Sequence, residues 1–369
     1  MDEVYLGLMS GTSLDAIDAV AVNFHNEQPV LLGTHSLPLP ADLRADILAL
    51  TQPGDNEIER LGAVDVVLGR LFADCANQLL AKLELKPEQI KGVGSHGQTI
   101  RHRPLKQEPF TLQITDPNVI AERTGLMVVA DFRRRDVAAG GQGAPLVPAF
   151  HEAILRTSKC NRVVVNLGGM ANVSVLPADD NQTVYGYDTG PANVLMDAWC
   201  QHILHQPYDK NGAWAASGQV IPRLLTDMLA HDFFAKPPPK STGREDFHLE
   251  WLLDKLTKYP DLPPADIQST LLALTCQSLA DAIVATGFDD GEIWLCGGGA
   301  FNQELWSRLA AKLPSFSLHS TSEINIAPSW VEAAAFAWLA RQTINGLSGN
   351  LPKVTGAAGY RILGGIYQP

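Results

Sequence analysis

The chain has 369 residues, of which 46% are hydrophobic and 18% are charged, and its formal net charge is -12. This length exceeds what one ordinary core holds and predicts two domains of similar size, while the composition excludes a long disordered region. The acidic balance argues against non-specific binding of DNA or RNA, which needs a basic face. It still allows an anionic small substrate, because a single pocket can be locally positive.

The cysteines and the first residues bear on the cellular compartment. Five dispersed cysteines, none in a CxxC pair, predict reduced thiols without disulfides or a zinc site. The start of the chain lacks the basic stretch of a signal peptide. No apolar run reaches the roughly 18 residues that a transmembrane helix needs. We therefore expect a cytoplasmic protein with no membrane segment.

The first half of the chain is predicted to open with three strands. They cover residues 4–9, 16–22 and 30–39, and a polar glycine turn joins the first two. Two helices follow. They are predicted at residues 41–50 and 56–84. A strand then runs from Gly92 into a glycine-rich polar loop. Two further strands are predicted at 110–114 and 126–130, with a helix between them that starts at Pro117.

The opening pattern then recurs. Strands are predicted at 162–167, 171–176 and 184–187, and the turn Gly168-Gly169 joins the first two of them. Later in the chain, a strand is predicted at residues 293–296. Four helices are predicted as well: from Gly190-Pro191 to Trp199, and at 264–287, 302–312 and 331–344. A recurring order of elements indicates two related α/β halves that face each other, with a boundary near residues 140–160.

Three glycine-rich turns follow predicted strands, at residues 10–13, 168–169 and 297–299. Backbone N–H groups in such turns suit phosphate oxygens, and glycine lets a nucleoside approach the backbone closely. The chain has no Walker A sequence and no GxGxxG sequence, which disfavours P-loop and dinucleotide-binding folds. Asp15 and Asp18 beside the first turn suggest a divalent cation; ordinary hairpin turns are the alternative interpretation.

Asp188 is the candidate catalytic base, because it ends a predicted strand before Thr-Gly-Pro at a helix start. A carboxylate there can take a proton from water or a hydroxyl while phosphate accepts the new oxygen. The alternative is a helix N-cap, which is frequent at such positions.

The first half also offers candidates for substrate binding. His96, Gln98 and Thr99 could bind sugar hydroxyls or an amide, although a lone loop histidine is more often structural. The basic cluster 133–135 could meet a carboxylate or phosphate, or it could form salt bridges to Asp131 and Asp136. Glu332 lies at a helix start, where a glutamate usually serves only the helix dipole.

Eight motifs together resemble the anhydro-N-acetylmuramic acid kinase family, in the family's order and over almost the whole chain. They are residues 8–15, 95–99, 131–136, 140–148, 166–172, 187–193, 240–245 and 295–299. The resemblance implies an α/β, two-domain actin-like ATPase fold of the actin, Hsp70 and sugar kinase type, with duplicated halves around a nucleotide cleft. The domains would be residues 1–145 and 146–369.

The family's reaction, by this resemblance, uses ATP with Mg²⁺ and water on 1,6-anhydro-N-acetylmuramic acid. Water opens the anhydro bridge at C1 and O6 takes the γ-phosphoryl group, which gives N-acetylmuramic acid 6-phosphate and ADP in cell-wall recycling. The resemblance also implies a homodimer with no nucleic-acid or membrane partner.

Site roles follow from the same resemblance. Asp188 would activate the water, and Arg133 would suit the lactyl carboxylate. The ATP phosphate loop would comprise Gly11, Thr12, Ser13, Leu14, Asp15, Ala16, Ile17 and Asp18. The rest of the nucleotide site would comprise Gly168, Gly169, Gly297, Gly298 and Gly299. The substrate contacts would be His96, Gln98, Thr99, Arg133, Gly190 and Glu332.

Three other functions fit the same scaffold. A different sugar kinase would leave the Arg133 cluster without a carboxylate to bind. A slow ATPase, such as an actin-like filament protein or chaperone domain, would not need Asp188 beside a sugar loop. A phosphatase of the exopolyphosphatase type would need no sugar acceptor.

Overall fold

The structure, a computed structural model, describes residues 3–11, 14–25 and 28–369. The predicted contacts of Thr12 and Ser13 therefore lie outside the described residues. The chain divides into two compact units, a first unit of Met1–Ile154 with Trp330–Pro369 and a second unit of Leu155–Ser329.

Thirteen strands are found in the described part of the chain. They are β1 (Val4–Ser10), β2 (Ala16–His25), β3 (Gln28–Pro38), β4 (Ile90–Ser95), β5 (Gln98–Arg103), β6 (Phe110–Ile114), β7 (Val128–Ala130), β8 (Arg162–Leu167), β9 (Met170–Leu176), β10 (Tyr185–Pro191), β11 (Gly291–Cys296), β12 (Phe316–Ser320) and β13 (Gly365–Tyr367).

Fourteen α-helices accompany them in the same described ranges. They are α1 (Ala41–Leu50), α2 (Glu57–Lys82), α3 (Pro117–Thr124), α4 (Phe132–Ala138), α5 (Val147–Leu155), α6 (Asn193–Leu204), α7 (Ala213–Ser217), α8 (Pro222–Leu229), α9 (Asp232–Ala235), α10 (Leu249–Leu256), α11 (Pro264–Val284), α12 (Gln303–Lys312), α13 (Val331–Ile344) and α14 (Pro352–Thr355).

The two units share one strand order. In the first, the sheet runs β13-β7-β4-β1-β2-β3, and in the second it runs β10-β9-β8-β11-β12. The opening strand of each, β1 or β8, pairs antiparallel with the strand after it and parallel with β4 or β11. The predicted duplication of an α/β half is therefore confirmed, and the architecture is that of the actin-like ATPase and sugar kinase fold.

Local sequence signals explain where several elements begin. Asn302 caps α12 by accepting a hydrogen bond from the Leu305 amide at 3.0 Å. Pro117 opens α3, and Gly125 ends it with a positive φ of 66°. The valine-rich strand β8 is buried along most of its length, as expected for a strand with a parallel neighbour.

The C-terminal segment belongs to the first unit, which differs from the predicted domain range of 146–369. Helix α13 packs on β1, β2 and β4. A Cβ at Gly7 or Gly94 would collide with the backbone of α13 at Ala333 or Phe336, so these glycines let the helix lie directly on the sheet. The first unit also extends to Ile154, beyond the predicted boundary at residue 145.

Helix α11 is long and apolar enough to cross a membrane by length and composition alone. Its most apolar window is 83% buried, and residues such as Leu271, Leu274 and Leu279 lie in the core of the second unit. A core helix passes the same test.

Two local predictions were wrong, and several helices were not predicted, among them one beside the candidate substrate residues. Residues 98–103 form strand β5, which pairs with β6, and not a loop. Pro191 ends β10 and does not open a helix, since α6 begins at Asn193. Residues 132–138 form the unanticipated helix α4, which ends just before the glycine-rich turn.

Candidate functional site

A histidine and an arginine are joined where β4 and α4 meet. His96 follows β4 and is 6% exposed; Arg133 donates to its Nε2 from Nε at 3.0 Å and from Nη2 at 2.9 Å. A guanidinium only donates, so Nε2 accepts and the ring proton lies on Nδ1. Burial and the charge of Arg133 hold the pKa of His96 well below its usual value. His96 is therefore a neutral imidazole that orients Arg133.

Glu332 belongs to this group through α13. The His96 ring packs on Phe336 of α13, with ring centroids 4.6 Å apart. Burial lowers the pKa of Arg133 to about 10, while the charges of Glu332 and Asp136 oppose that shift. Arg133 stays cationic at neutral pH. The structure thus brings His96, Arg133 and Glu332 together, as the substrate-side prediction requires.

Asp136 fixes the loop beside Arg133. The Asp136 side chain is fully buried and accepts hydrogen bonds from Gly143 N, Asn350 Nδ2 and Thr355 Oγ1, each 2.8 Å long. The Gly143 carbonyl in turn accepts from Arg133 Nη1 at 2.9 Å. The alternative interpretation of the basic cluster holds for Arg134, which pairs with Asp131 at 3.3 Å.

A small polar cavity of about 160 Å³ opens beside His96. Its walls include Asp65, Ser95, Gln113 and Thr115. Within the described ranges, Ser95 Oγ, Gln113 Oε1 and Thr115 Oγ1 are buried without a hydrogen-bond partner. Buried polar atoms are normally paired, so these three oxygens are available to water or to a polar ligand.

Gln98 and Thr99 lie on β5, not in a loop. Gln98 is 3% exposed, and its Oε1 has no hydrogen-bond partner among residues 3–11, 14–25 and 28–369. Thr99 Oγ1 accepts from Gln113 Nε2 at 3.1 Å, which links it to the wall of the cavity.

The predicted phosphate turn connects β1 to β2. Leu14 N donates to the Gly11 carbonyl at 3.2 Å, and Leu14 has a positive φ of 57°, which is unusual for leucine. A Cβ at Gly11 would meet nothing within 4 Å, so the turn is open there. Leu14 and Ile17 bury their side chains in the core and can offer a ligand only backbone groups.

The two carboxylates of this segment have separate partners. Asp15 is largely exposed and lies 3.7 Å from Arg44. Asp18, on β2 two residues past Ala16, accepts from Ser36 Oγ at 2.8 Å, and burial raises its pKa. In the described part of the chain, no group of three or more His, Cys, Asp and Glu side chains could hold a metal ion by itself.

The turn Gly168-Gly169 is tied to the start of α6. The amides of Ala192 and Val194 donate to the Gly169 carbonyl, and the amide of Asn193 donates to the Gly168 carbonyl. These three amides at the start of α6 are therefore occupied. Gly168 and Gly169 keep open backbone around them, since a Cβ at either would meet no atom closer than 3.5 Å.

A larger cavity of about 460 Å³ lies in the second unit at the third glycine turn. Gly298 and Gly299 form part of its wall, and Gly297 lies just before them with a φ of 80°. The other walls come from α6, from residues 208–211 and from the segment after the glycines: Asn193, Met196, Asp197, Tyr208, Asp209, Lys210, Asn211, Phe301 and Asn302.

Asp188 lies within β10 and five residues before α6, so it is not the N-cap of that helix. Its Oδ2 accepts from the Thr242 amide at 3.1 Å. Burial raises the pKa of Asp188 to about 6, the bond from Thr242 lowers it, and the charge of Glu245 raises it. A carboxylate with a pKa near neutrality suits a general base.

Gly190 lies two residues beyond Asp188 and has a φ of 142°. A Cβ there would come within 2.8 Å of the Phe234 ring. This close packing favours glycine at position 190 for a structural reason that is independent of the predicted substrate contact.

A model of the anhydro-N-acetylmuramic acid kinase family matches residues 3–369. The chain belongs to this family. Named anhydro-N-acetylmuramic acid kinases of Acinetobacter baylyi and Shewanella halifaxensis are each 52% identical to it; the first alignment covers 99% of both chains and the second 98% of both. An anhydro-N-acetylmuramic acid kinase is a phosphotransferase, so the chain is an ATP-using kinase with a sugar substrate.

Solved structures of other families align with most of the chain at low identity. The activator of 2-hydroxyisocaproyl-CoA dehydratase from Clostridium difficile is 12% identical, with a TM-score of 0.46 and coverage of 93% of this chain and 96% of that one. A glucokinase from Streptomyces griseus is 13% identical, with a TM-score of 0.39 and coverage of 92% and 99%.

The structure also adds residues that the sequence reasoning missed. Gln113 lies near the end of β6 and Thr115 directly follows that strand. Thr115 has a φ of 144°, and its buried hydroxyl has no hydrogen-bond partner within the described ranges. The 208–211 segment carries an exposed tyrosine and a lysine near the glycine turn. Neither group of residues lies in a sequence motif, because each is brought together by contacts between segments that are far apart in the chain.

Proposed function

We propose that this kinase opens 1,6-anhydro-N-acetylmuramic acid with water and phosphorylates O6, giving N-acetylmuramic acid 6-phosphate and ADP in cell-wall recycling. The observation that carries the proposal is Asp188, a half-buried carboxylate with a pKa of about 6 held by a backbone amide. Ring opening by water needs such a base, whereas simple ATP binding does not.

In the proposed step, the oxygen of water bonds to C1 while its proton passes to Asp188. The bond between C1 and O6 breaks, and O6 takes the γ-phosphoryl group as ADP leaves. Asp188 then returns its proton to solvent. A carboxylate with a pKa of about 6 is ionised at neutral pH and still basic enough to accept this proton.

The sugar is proposed to bind to groups of the first unit. Arg133 offers a half-buried cation, oriented by two hydrogen bonds to His96, for the lactyl carboxylate. Glu332, whose charge acts on Arg133, would accept a hydrogen bond from a sugar hydroxyl. The unpartnered oxygens of Ser95, Gln113 and Thr115 in the small cavity suit hydroxyl or acetamido groups, together with Gln98 and Thr99.

ATP is proposed to bind through glycine turns. In the second unit, Gly168 and Gly169 would contact phosphate oxygens, and the nucleoside would enter the 460 Å³ cavity at Gly298 and Gly299. That volume is in the range of small-molecule sites. Tyr208 and Phe301 would offer the nucleoside aromatic surface. For the turn of the first unit, we propose that the open backbone at Gly11 contacts phosphate oxygens.

Mg²⁺ is proposed to arrive with ATP. Asp18 and phosphate oxygens are the hard oxygen ligands that this ion prefers, so the donor chemistry fits. Asp15 lies nearer to Gly11 along the chain and pairs with Arg44 instead. The bound ion would supply charge neutralisation on the phosphates.

The mass of the product tests the reaction directly. Incubation of the protein with ATP, Mg²⁺ and 1,6-anhydro-N-acetylmuramic acid should give a sugar heavier by one phosphoryl group plus one water. A gain of one phosphoryl group alone would mean an ordinary sugar kinase. ADP formation at an equal rate without sugar would mean a slow ATPase.

A further inference from the structure

The loop formed by residues 240–247 touches Asp188 at two points. The Asp188 amide donates to the Lys240 carbonyl at 3.1 Å, and the Thr242 amide donates to Asp188 Oδ2 at 3.1 Å. No other hydrogen bond to the Asp188 carboxylate is found from the described residues. The 240–247 loop therefore sets the orientation of the Asp188 carboxylate.

The loop keeps its shape through a side-chain bond and a tight turn. Thr242 Oγ1 donates to Asp246 Oδ2 at 2.7 Å. The amides of Asp246 and Phe247 both donate to the Gly243 carbonyl, at 3.2 and 3.1 Å. The Thr242–Asp246 bond spans this turn, so it closes the ring of atoms that presents the Thr242 amide.

Both ends of the loop are anchored in the second unit. Lys240 Nζ donates to the carbonyls of Phe233 and Phe234 at 3.3 Å each and lies 4.7 Å from the centre of the Phe233 ring. Phe247 is fully buried and packs against Phe233, Phe234 and Trp251. These contacts fix the two ends of the loop.

We propose that Thr242 and Asp246 are positioning residues: the bond between their side chains holds the Thr242 amide against Asp188 and so sets the orientation of the base. This inference rests on the proposed role of Asp188. The neighbours of β10 do not duplicate the function. Strand β9 places the neutral Asn172 opposite Asp188, and α9 and α11 contribute Phe234 and Ala282 to the packing.

A pair of substitutions separates positioning from folding. Thr242→Val removes the hydroxyl but keeps the shape and the amide, and Thr242→Ser restores a hydroxyl. Thr257→Val is the matched control, because Thr257 Oγ1 also makes one short bond, to the Asp254 carbonyl, elsewhere in the second unit. The readouts are kcat, the pH profile of kcat/KM with the anhydro sugar, and the melting temperature.

For Thr242→Val we expect kcat to fall about tenfold, equivalent to one lost orienting interaction. The acid limb of kcat/KM should also move to higher pH. The Thr242 amide stabilises the ionised carboxylate, so weakening that hydrogen bond raises the pKa of Asp188. The charge of Glu245 also acts on Asp188 and raises its pKa. Thr242→Ser and Thr257→Val should keep the wild-type limb, and Asp246→Ala should shift it as Thr242→Val does.

Two results would overturn the inference. If Thr242→Val lowers the melting temperature but leaves kcat and the acid limb unchanged, the loop is merely structural. If Thr242→Ser loses as much activity as Thr242→Val, the hydroxyl bond is not what matters. Asp188→Asn run in parallel distinguishes the proposed function: if that variant keeps full turnover, the base itself is misassigned and the positioning role falls with it.

Discussion

Arg133 donates two hydrogen bonds to one ring nitrogen of His96, at 3.0 and 2.9 Å. That geometry assigns the ring proton to Nδ1 and makes His96 an acceptor that turns the guanidinium, not a proton donor to the substrate through Nε2. Two hydrogen bonds to one acceptor also fix the plane of the guanidinium, whereas the ammonium of a lysine, on its flexible side chain, would have no fixed plane.

Arg133→Lys tests this geometry. An ammonium cannot reproduce the forked contact, so we expect KM for the anhydro sugar to rise about tenfold to a hundredfold, the range of one charge-assisted hydrogen bond. The kcat value should change less, since ground state and transition state lose the same contact. Arg135→Lys on the same helix, where Arg135 is exposed, is the control. An unchanged KM in Arg133→Lys would remove Arg133 from the substrate site.

Gly298→Ala tests the proposed nucleoside cavity. A Cβ at Gly298 meets nothing within 4 Å and no positive φ forbids it, so the fold should tolerate alanine. The methyl group would stand in the cavity wall and should raise KM for ATP several-fold, by steric loss of about 1 kcal/mol. Gly62→Ala in α2, which is equally open, should leave KM unchanged. A Gly298→Ala enzyme with wild-type KM for ATP would place the nucleoside elsewhere.

The charge of the half-buried Asp188 should affect the stability of the protein as a function of pH. Its pKa in the folded protein, about 6, is above the value of 3.8 for an unperturbed aspartate, so the folded state binds the proton more tightly than the unfolded state does. The cost of the ionised group is therefore full above pH 6 and disappears as the pH falls from 6 towards 4. A neutral asparagine side chain at this position would carry no such cost.

We accordingly expect Asp188→Asn to melt at a higher temperature than the wild type at pH 8, with the gap closing near pH 4. Thermal melts across this range measure it. A gap that is constant with pH would mean that the Asp188 pKa is not raised by folding.

Asp136 should be needed for folding of the first unit. Its carboxylate accepts three hydrogen bonds and is fully buried, so Asp136→Ala would leave three donors unpaired. We expect a loss of about 3 kcal/mol or more in the free energy of unfolding, measured with urea. Asp74→Ala removes a half-exposed pair with Arg123 and should cost about 1 kcal/mol or less. Equal losses would contradict the assigned role of Asp136.

The sequence predicted those elements whose signal is local. The strand–turn–strand–strand order at residues 4 and 162, and the helix at 331–344, follow from apolar periodicity and glycine turns, and the structure confirms them. Strand β5 was missed because its first residues, Gln98 and Thr99, follow a glycine and look like a polar loop. Only its pairing with β6, some ten residues away, makes it a strand.

The residues of the candidate site also divide into those with a local sequence signal and those without one. Asp188 and the glycine turns stand in recognisable motifs, whereas the contact between His96 and Arg133 joins residues 37 positions apart. The return of residues 330–369 to the first unit has no local signal, because it depends on how Gly7 and Gly94 accept the backbone of α13. The sequence analysis named Glu332 as a helix-start glutamate and as a substrate contact implied by the resemblance, but it could not place Glu332 near Arg133.

The most direct test of the account is ADP release from ATP and 1,6-anhydro-N-acetylmuramic acid by the wild type and by Asp188→Asn, each with and without sugar. The account predicts sugar-dependent release by the wild type and a loss of about a thousandfold or more in the variant, the upper range for a lost acid–base group. Sugar-dependent release by Asp188→Asn at near the wild-type rate would contradict it.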